Sequence, residues 1–128
     1  MLIEKKQEIS AVAYNKRNLD IKFDINLSKQ FYLLDESMLM RVLDNILYNS
    51  LRFTTNGEIK LEVHDELGDE SNKIFFKCMD TGIGFKQKDA SMLFEAFYQD
   101  EQYKNHIGLG LYISKKIVNN FGGEILAY

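Results

Sequence analysis

An α+β fold, a two-layer sandwich with helices on one face of a mixed sheet, is what the sequence predicts for these 128 residues. Three observations carry that expectation. "LDIKFDINL" alternates apolar and polar residues strictly, as a half-buried strand does. The segment from Asp35 to Phe53 repeats its apolar residues at helical spacing. "EIKLEVHDE" and "KIFFKCMD" flank a short acidic loop as the arms of a hairpin would. Hairpins with one long helix ahead of the glycine loops argue against regular βαβ alternation.

Taken in order, residues 1–17 carry Leu2, Ile3, Ile9, Val12 and Ala13 among charges, which predicts a short helix with a ragged apolar stripe. Leu19, Ile21, Phe23, Ile25 and Leu27 predict a strand, and "QFYLLD" a second one after a short turn. Asp35 and Ser37 are both suited to cap the helix that reaches Phe53. Asn56-Gly57 breaks the chain into a strand at about 58–65, the solvated loop "DELGDE", and a strand at about 73–79. An amphipathic piece, "KDASMLFEAFYQ", and a polar stretch, "DEQYKNH", precede "GLGLYISKKIVNNFGG". There Ile113, Ile117 and Phe121 share a helical face and Gly122-Gly123 is a C-terminal stop. "EILAY" is expected to begin a last strand.

Composition narrows the function classes. A net charge of −3 gives no global attraction to nucleic acid or anionic lipid, so neither is expected as a partner. One cysteine excludes an internal disulfide framework, and with two distant histidines it leaves no structural zinc cluster. Cys78 reads as a small core residue. No apolar run approaches membrane-spanning length, and a reducing, cytoplasmic setting is the default.

Chemistry concentrates in three places. In "RVLDNILYNSLRFT", Asn45, Asn49 and Arg52 fall at spacings of four and three, on one helical stripe beside the apolar arc Leu39, Leu43, Ile46 and Leu47. Such a stripe either coats an exposed face or holds oxygen donors for a hard cation and a guanidinium for phosphate. "DTGIGF" sets Asp80 at a strand end before Gly82 and Gly84. It is either a tight turn or a carboxylate that accepts from the exocyclic amine of a purine while the glycines make room for the ring. "GLGLYI" places Gly108, Leu109 and Gly110 at a helix start, where backbone amides attract phosphate. The spacing matches neither a phosphate-binding GxxxxGK[ST] loop nor a dinucleotide fingerprint.

The order of these pieces resembles the ATP-binding catalytic domain of sensor histidine kinases, among the Bergerat-type (GHKL) ATPases. An Asn-x-x-x-Asn helix, a DxGxG about thirty residues later, the pair Phe94 and Phe97, a polar loop and a GLGL helix match its N, G1, F and G2 boxes, from about Asn18 to Tyr128. The resemblance implies a Bergerat fold binding magnesium and ATP. Asn49 would coordinate magnesium with Asn45 in support, Arg52 would contact phosphate, and Phe53 would lie beside the nucleotide. Asp80 would take the adenine amine, Gly82 and Gly84 would shape that pocket, and Gly108, Leu109 and Gly110 would meet the phosphates. Residues 99–107 would form a lid with Lys104 as its one cation, anchored by Phe94 and Phe97.

Members of the superfamily that hydrolyse ATP carry a glutamate four residues before the magnesium asparagine. Here that position is Asn45, and a carboxamide is a poor general base, so the resemblance implies transfer to another nucleophile. In the family this is a histidine on a separate dimerisation domain, which serves a response regulator in turn. His64 and His106 have no such context. Residues 1–17 would be the remnant of a connection to missing dimerisation helices, and residues 18–128 the catalytic domain without its last strand. Departures from the pattern are His106 where a further glycine is usual and a short lid. They keep open a nucleotide-sensing or docking module, and a serine-kinase anti-sigma factor of the same superfamily.

Overall fold

A computed structural model describes residues 1–14, 16, 18–29, 32–98 and 109–128. Its elements are α1 (Leu2–Ala13), β1 (Leu19–Asn26), α2 (Glu36–Phe53), β2 (Gly57–Leu67), β3 (Asn72–Asp80), two single 3-10 turns (Gln87–Asp89 and Met92–Phe94) and α3 (Gly110–Asn120). They fall into two compact units, Met1–Leu33 with Leu47–Ile83, and Leu34–Ile46 with Gly84–Tyr128, and α2 runs through both.

The first unit holds a mixed three-stranded sheet in the order β1-β2-β3. β1 pairs parallel to β2, from Leu19 opposite Gly57 to Asn26 opposite His64. β2 and β3 form the expected antiparallel hairpin, from Ile59 opposite Asp80 to Leu67 opposite Asn72. A parallel pair needs a long crossover, and α2 lies within it. Ile59, Leu61 and Val63, on one face of β2, are at most 1% exposed, and such burial contributes about 1.5–3 kcal/mol per side chain. The other face is a charged lattice in which Lys22 pairs with Asp20 and Glu58, and Lys60 with Glu62.

The stripe of α1 that is buried is Lys5, Ile9 and Ala13, at a spacing of four. Lys5 buries its stem and keeps its ammonium 2.6 Å from Glu8, and Glu8 in turn accepts from the Tyr48 hydroxyl at 2.7 Å. Ile9 is wholly buried, so this helix is part of the first unit's core. Lys16 donates to the carbonyls of Leu51 and Thr54, capping the end of α2 with a cation where the helix dipole is negative.

Asp35, one of the two expected caps, closes the start of α2: its Oδ1 accepts from Met38 N at 3.1 Å, and its carbonyl from Leu39 N. Ser37 lies inside the helix. In the second unit Leu39, Val42 and Leu43 are buried, as are Phe94, Ser114 and Ile117. α3 packs on the second 3-10 turn, with the Lys115 ammonium 5.8 Å from the Phe94 ring centre. Its stop is the predicted one. Gly122 takes φ +76°, Gly122 N donates to Asn119 O, and Gly123 N to Val118 O, both at 3.0 Å, which is a Schellman closure.

Two expectations fail. Residues 32–35 of "QFYLLD" are in no strand; Leu33 is fully exposed, and Tyr32 instead turns its hydroxyl to Asp65. "EILAY" pairs with no strand, and Leu126 and Tyr128 are 70% and 77% exposed. On α3 the face shared by Ile113, Ile117 and Phe121 is buried at Ile117, half-buried at Ile113 and exposed at Phe121, which caps the helix end. The amphipathic piece forms two 3-10 turns, and beyond them Phe97 takes φ +64°, outside the right-handed helical region. No helix among the described residues is long and apolar enough to cross a membrane.

Candidate functional site

α2 places Asn45, Asn49 and Arg52 as expected of one helical stripe. Arg52 is exposed. Asn49 is half-buried and its carboxamide makes no hydrogen bond among the described residues. Asn45 donates Nδ2 to Gly110 O and to Ser114 Oγ, both at 3.1 Å. A carbonyl can only accept, so the nitrogen must face α3 and Oδ1 is turned elsewhere. Carboxamide oxygens held in this way suit magnesium, which takes hard oxygen donors and keeps several of its waters. Among the described residues no cluster of three or more His, Cys, Asp or Glu side chains offers a metal site of another kind.

Asp80 ends β3, and both of its carboxylate oxygens are engaged. Oδ1 accepts from Gly82 N at 2.9 Å and Oδ2 from the Ser50 hydroxyl at 3.1 Å. The glycines that follow do different work. A side chain on Gly82 would meet Phe53 O at 2.6 Å, Thr54 Oγ1 at 2.8 Å and Asp80 Oδ1 at 2.9 Å. Gly84 has nothing within 4 Å and is needed for its φ of +68°. Phe53, half-buried, accepts through its carbonyl from Ile83 N. Thr81 ties the loop to the start of β2: its hydroxyl accepts from Glu58 N at 2.9 Å, and its amide donates to Glu58 O at 3.0 Å.

Behind the loop, Thr54 is 0% exposed and its hydroxyl has no hydrogen-bond partner among the described residues. Such an orphan costs about 1–3 kcal/mol. Cys78 approaches Ser50 Oγ at 3.5 Å, and burial pushes its thiol up, away from the reactive thiolate. This suits the small core residue the sequence predicts.

Leu109 and Gly110 open α3. At Gly110 an added side chain would stand 3.6 Å from the Asn45 carboxamide, an ordinary contact, so this glycine is not demanded by local crowding. Gly108, Lys104, His106 and the predicted lid at 99–107 lie outside the described residues. Of the expected lid anchors, Phe94 is buried and Phe97 is 69% exposed. Ser50, Thr54 and Ser114 were not singled out in the sequence. Their signal was there: Ser50 lies on the helix that carries the asparagines, Thr54 follows one turn later just past its end, and Ser114 is one turn after Gly110.

Residues 34–127 match the histidine kinase-, DNA gyrase B- and HSP90-like ATPase family. Among curated relatives, the chain is 30% identical over 125 residues to the signal transduction histidine-protein kinase BarA of Escherichia coli, which covers 91% of this chain and 14% of BarA. To the circadian input-output histidine kinase CikA of Synechocystis it is 33% identical over 113 residues, covering 84% of this chain and 14% of CikA. The chain therefore spans about a seventh of these relatives' length. Among solved structures, full-length ShkA in complex with AMPPNP superposes with a TM-score of 0.83 at 27% identity, over 98% of this chain and 25% of that one. The nucleotide-free catalytic domain of histidine kinase ThkA superposes with a TM-score of 0.77 at 25% identity, over 98% and 83% of the two chains.

Proposed function

Because the chain belongs to the histidine kinase-, DNA gyrase B- and HSP90-like ATPase family, we propose that it is the ATP-binding catalytic domain of a two-component sensor histidine kinase. Its part would be to bind ATP with magnesium and present the γ-phosphoryl to a histidine on a separate dimerisation domain, ahead of a response regulator, in the cytoplasm. Each role has residues suited to it. Asp80 is an acceptor for an exocyclic amine, held at both oxygens. Asn49, with Asn45 in support, offers oxygen to the cation, Arg52 stands exposed for phosphate, and Leu109 and Gly110 present the amides of a helix start. Magnesium would neutralise charge on the phosphates, and the protein's part is positioning.

The observation that carries transfer rather than hydrolysis is Asn45. Where a hydrolase needs a base to activate water, this chain has a carboxamide whose nitrogen is committed to Gly110 and Ser114. The test is to incubate the chain with radiolabelled ATP, magnesium and a supplied histidine-kinase dimerisation domain. Label on the histidine, in acid-labile form and without comparable phosphate release to water, is the expected result. Rapid hydrolysis without transfer, or label on a serine of the added protein, would overturn the reading.

A further inference from the structure

The fold and the chemistry of the main chain make opposite demands at residue 57. Gly57 takes φ +111°, and a side chain there would collide with Thr81 Oγ1, so the fold requires glycine. Before it stands Asn56, exposed in the short connection between α2 and β2. A carboxamide followed by glycine is open to internal attack, because no side chain shields the glycine nitrogen from it. The peptide group between the two residues is held at both ends. Gly57 N donates to Asn18 O at 2.7 Å, where the pairing of β1 with β2 begins, and Asn56 O accepts from the Thr81 hydroxyl at 3.3 Å. Thr81 is itself fixed, since its hydroxyl accepts from Glu58 N at 2.9 Å and its amide donates to Glu58 O at 3.0 Å. All of these residues belong to the first unit.

We propose that Asn56 is a self-modification site, deamidating through Gly57 to aspartate and isoaspartate at a rate that the Thr81 hydroxyl sets by holding the peptide group between them. In the reaction Gly57 N gives its proton to solvent and bonds to Asn56 Cγ. The Cγ–Nδ2 bond breaks and ammonia leaves, which closes a cyclic imide. Water then opens the ring at either carbonyl: at the side-chain carbonyl it gives aspartate, at the main-chain carbonyl isoaspartate. A water is consumed, an ammonia is released, and nothing is oxidised or reduced. A nitrogen engaged in a hydrogen bond, in a peptide group pinned at its carbonyl, neither sheds its proton nor swings over the carboxamide. The folded chain therefore reacts through local opening. Asn18 and Gly57 are both exposed at the end of the β1-β2 ladder, where opening is least costly. Isoaspartate lengthens the main chain at this turn and moves Gly57 out of register with Asn18, so conversion should lower the melting temperature.

The test follows Asn56 by peptide mapping, with enzymatic methylation to mark isoaspartate, in the whole chain in alkaline buffer. Wild type unfolded in guanidinium chloride should convert faster than folded wild type, to a mixture of both acids. At a temperature where circular dichroism shows all chains folded, Thr81→Val should convert about threefold to tenfold faster than wild type, the worth of one hydrogen bond, and Thr81→Ser should match wild type. In guanidinium chloride the three chains should convert alike, which separates the hold on the peptide group from the chemistry itself. An unfolded chain in which Asn56 stays intact overturns the inference, as does aspartate formed without isoaspartate, which rules out attack by Gly57. Equal rates for folded and unfolded wild type show that the fold restrains nothing. Folded Thr81→Val converting no faster than wild type overturns the role of Thr81, whether both convert or neither does. Should Thr81→Val not fold, the wild-type rates and the isoaspartate content decide the matter.

Discussion

The side chain of Asn45 holds Ser114: its Nδ2 donates to the Ser114 hydroxyl at 3.1 Å, and to the carbonyl of Gly110 at the same distance. Ser114 is fully buried, so the bond stands away from water and ties the first turn of α3 to α2. The Asn45 side chain thus serves as a clasp between α2 and α3. Asn45→Asp retains an oxygen for a cation but loses both donors and sets a carboxylate against a carbonyl. It should destabilise the chain by about 1–3 kcal/mol, whereas Ser114→Ala, which leaves Gly110 as acceptor, should cost about 0.5–1.5 kcal/mol. Urea unfolding of the two variants checks the ranking.

Asp80→Asn should leave the fold intact and weaken adenine nucleotide binding by about tenfold to a hundredfold, the worth of a hydrogen bond to a charged acceptor. Titration with ATP beside a circular dichroism spectrum measures both halves of the statement. Retained affinity would remove Asp80 from the base site.

Gly82 and Gly84 should separate on substitution. Gly82→Ala forces a methyl against Phe53 O, Thr54 Oγ1 and Asp80 Oδ1, all within 3 Å, so the loop must shift and nucleotide affinity should fall. Gly84→Ala meets no atom and costs only the left-handed conformation, about 1–2 kcal/mol of stability. Melting temperatures and ATP affinities of the pair check the split.

Acid should loosen the contact that Ser28 and Tyr32 make with Asp65 of β2. The hydroxyl and amide of Ser28 and the hydroxyl of Tyr32 donate to Asp65, and these bonds hold its carboxyl below the ordinary value of 3.8. A carboxyl whose folded value is depressed contributes stability in full above its unfolded value, and loses it as pH falls through the folded one. The unfolding midpoint of the wild-type chain should therefore fall more steeply below about pH 4 than that of Asp65→Asn. Parallel slopes would mean that Asp65 contributes nothing.

What was legible in the sequence was whatever depends on period and local chemistry. The alternation of β1 and of the β2-β3 hairpin, the Asp35 cap of α2 and the double-glycine stop of α3 all appear where the residues imply. "QFYLLD" misled because Leu33 and Leu34 face solvent, while the binding of Tyr32 to Asp65 is a long-range contact that no local pattern announces. Phe97 escaped because the pairing Phe94-x-x-Phe97 reads as one face only if the backbone stays helical, and its positive φ breaks that premise. At the candidate site, the stripe of Asn45 and Asn49 was readable from spacing. That Asn45 turns its nitrogen to α3, and that Ser50 rather than solvent holds Asp80, are facts of tertiary packing.

Calorimetric titration of the chain with ATP, with and without magnesium and with GTP as the control for purine choice, tests the central claim most directly. One-site saturable binding that favours ATP over GTP and tightens with magnesium is the predicted result, with the magnesium effect absent in Asn49→Ala. No saturable binding by a chain shown to be folded, or equal binding of ATP and GTP, would contradict it.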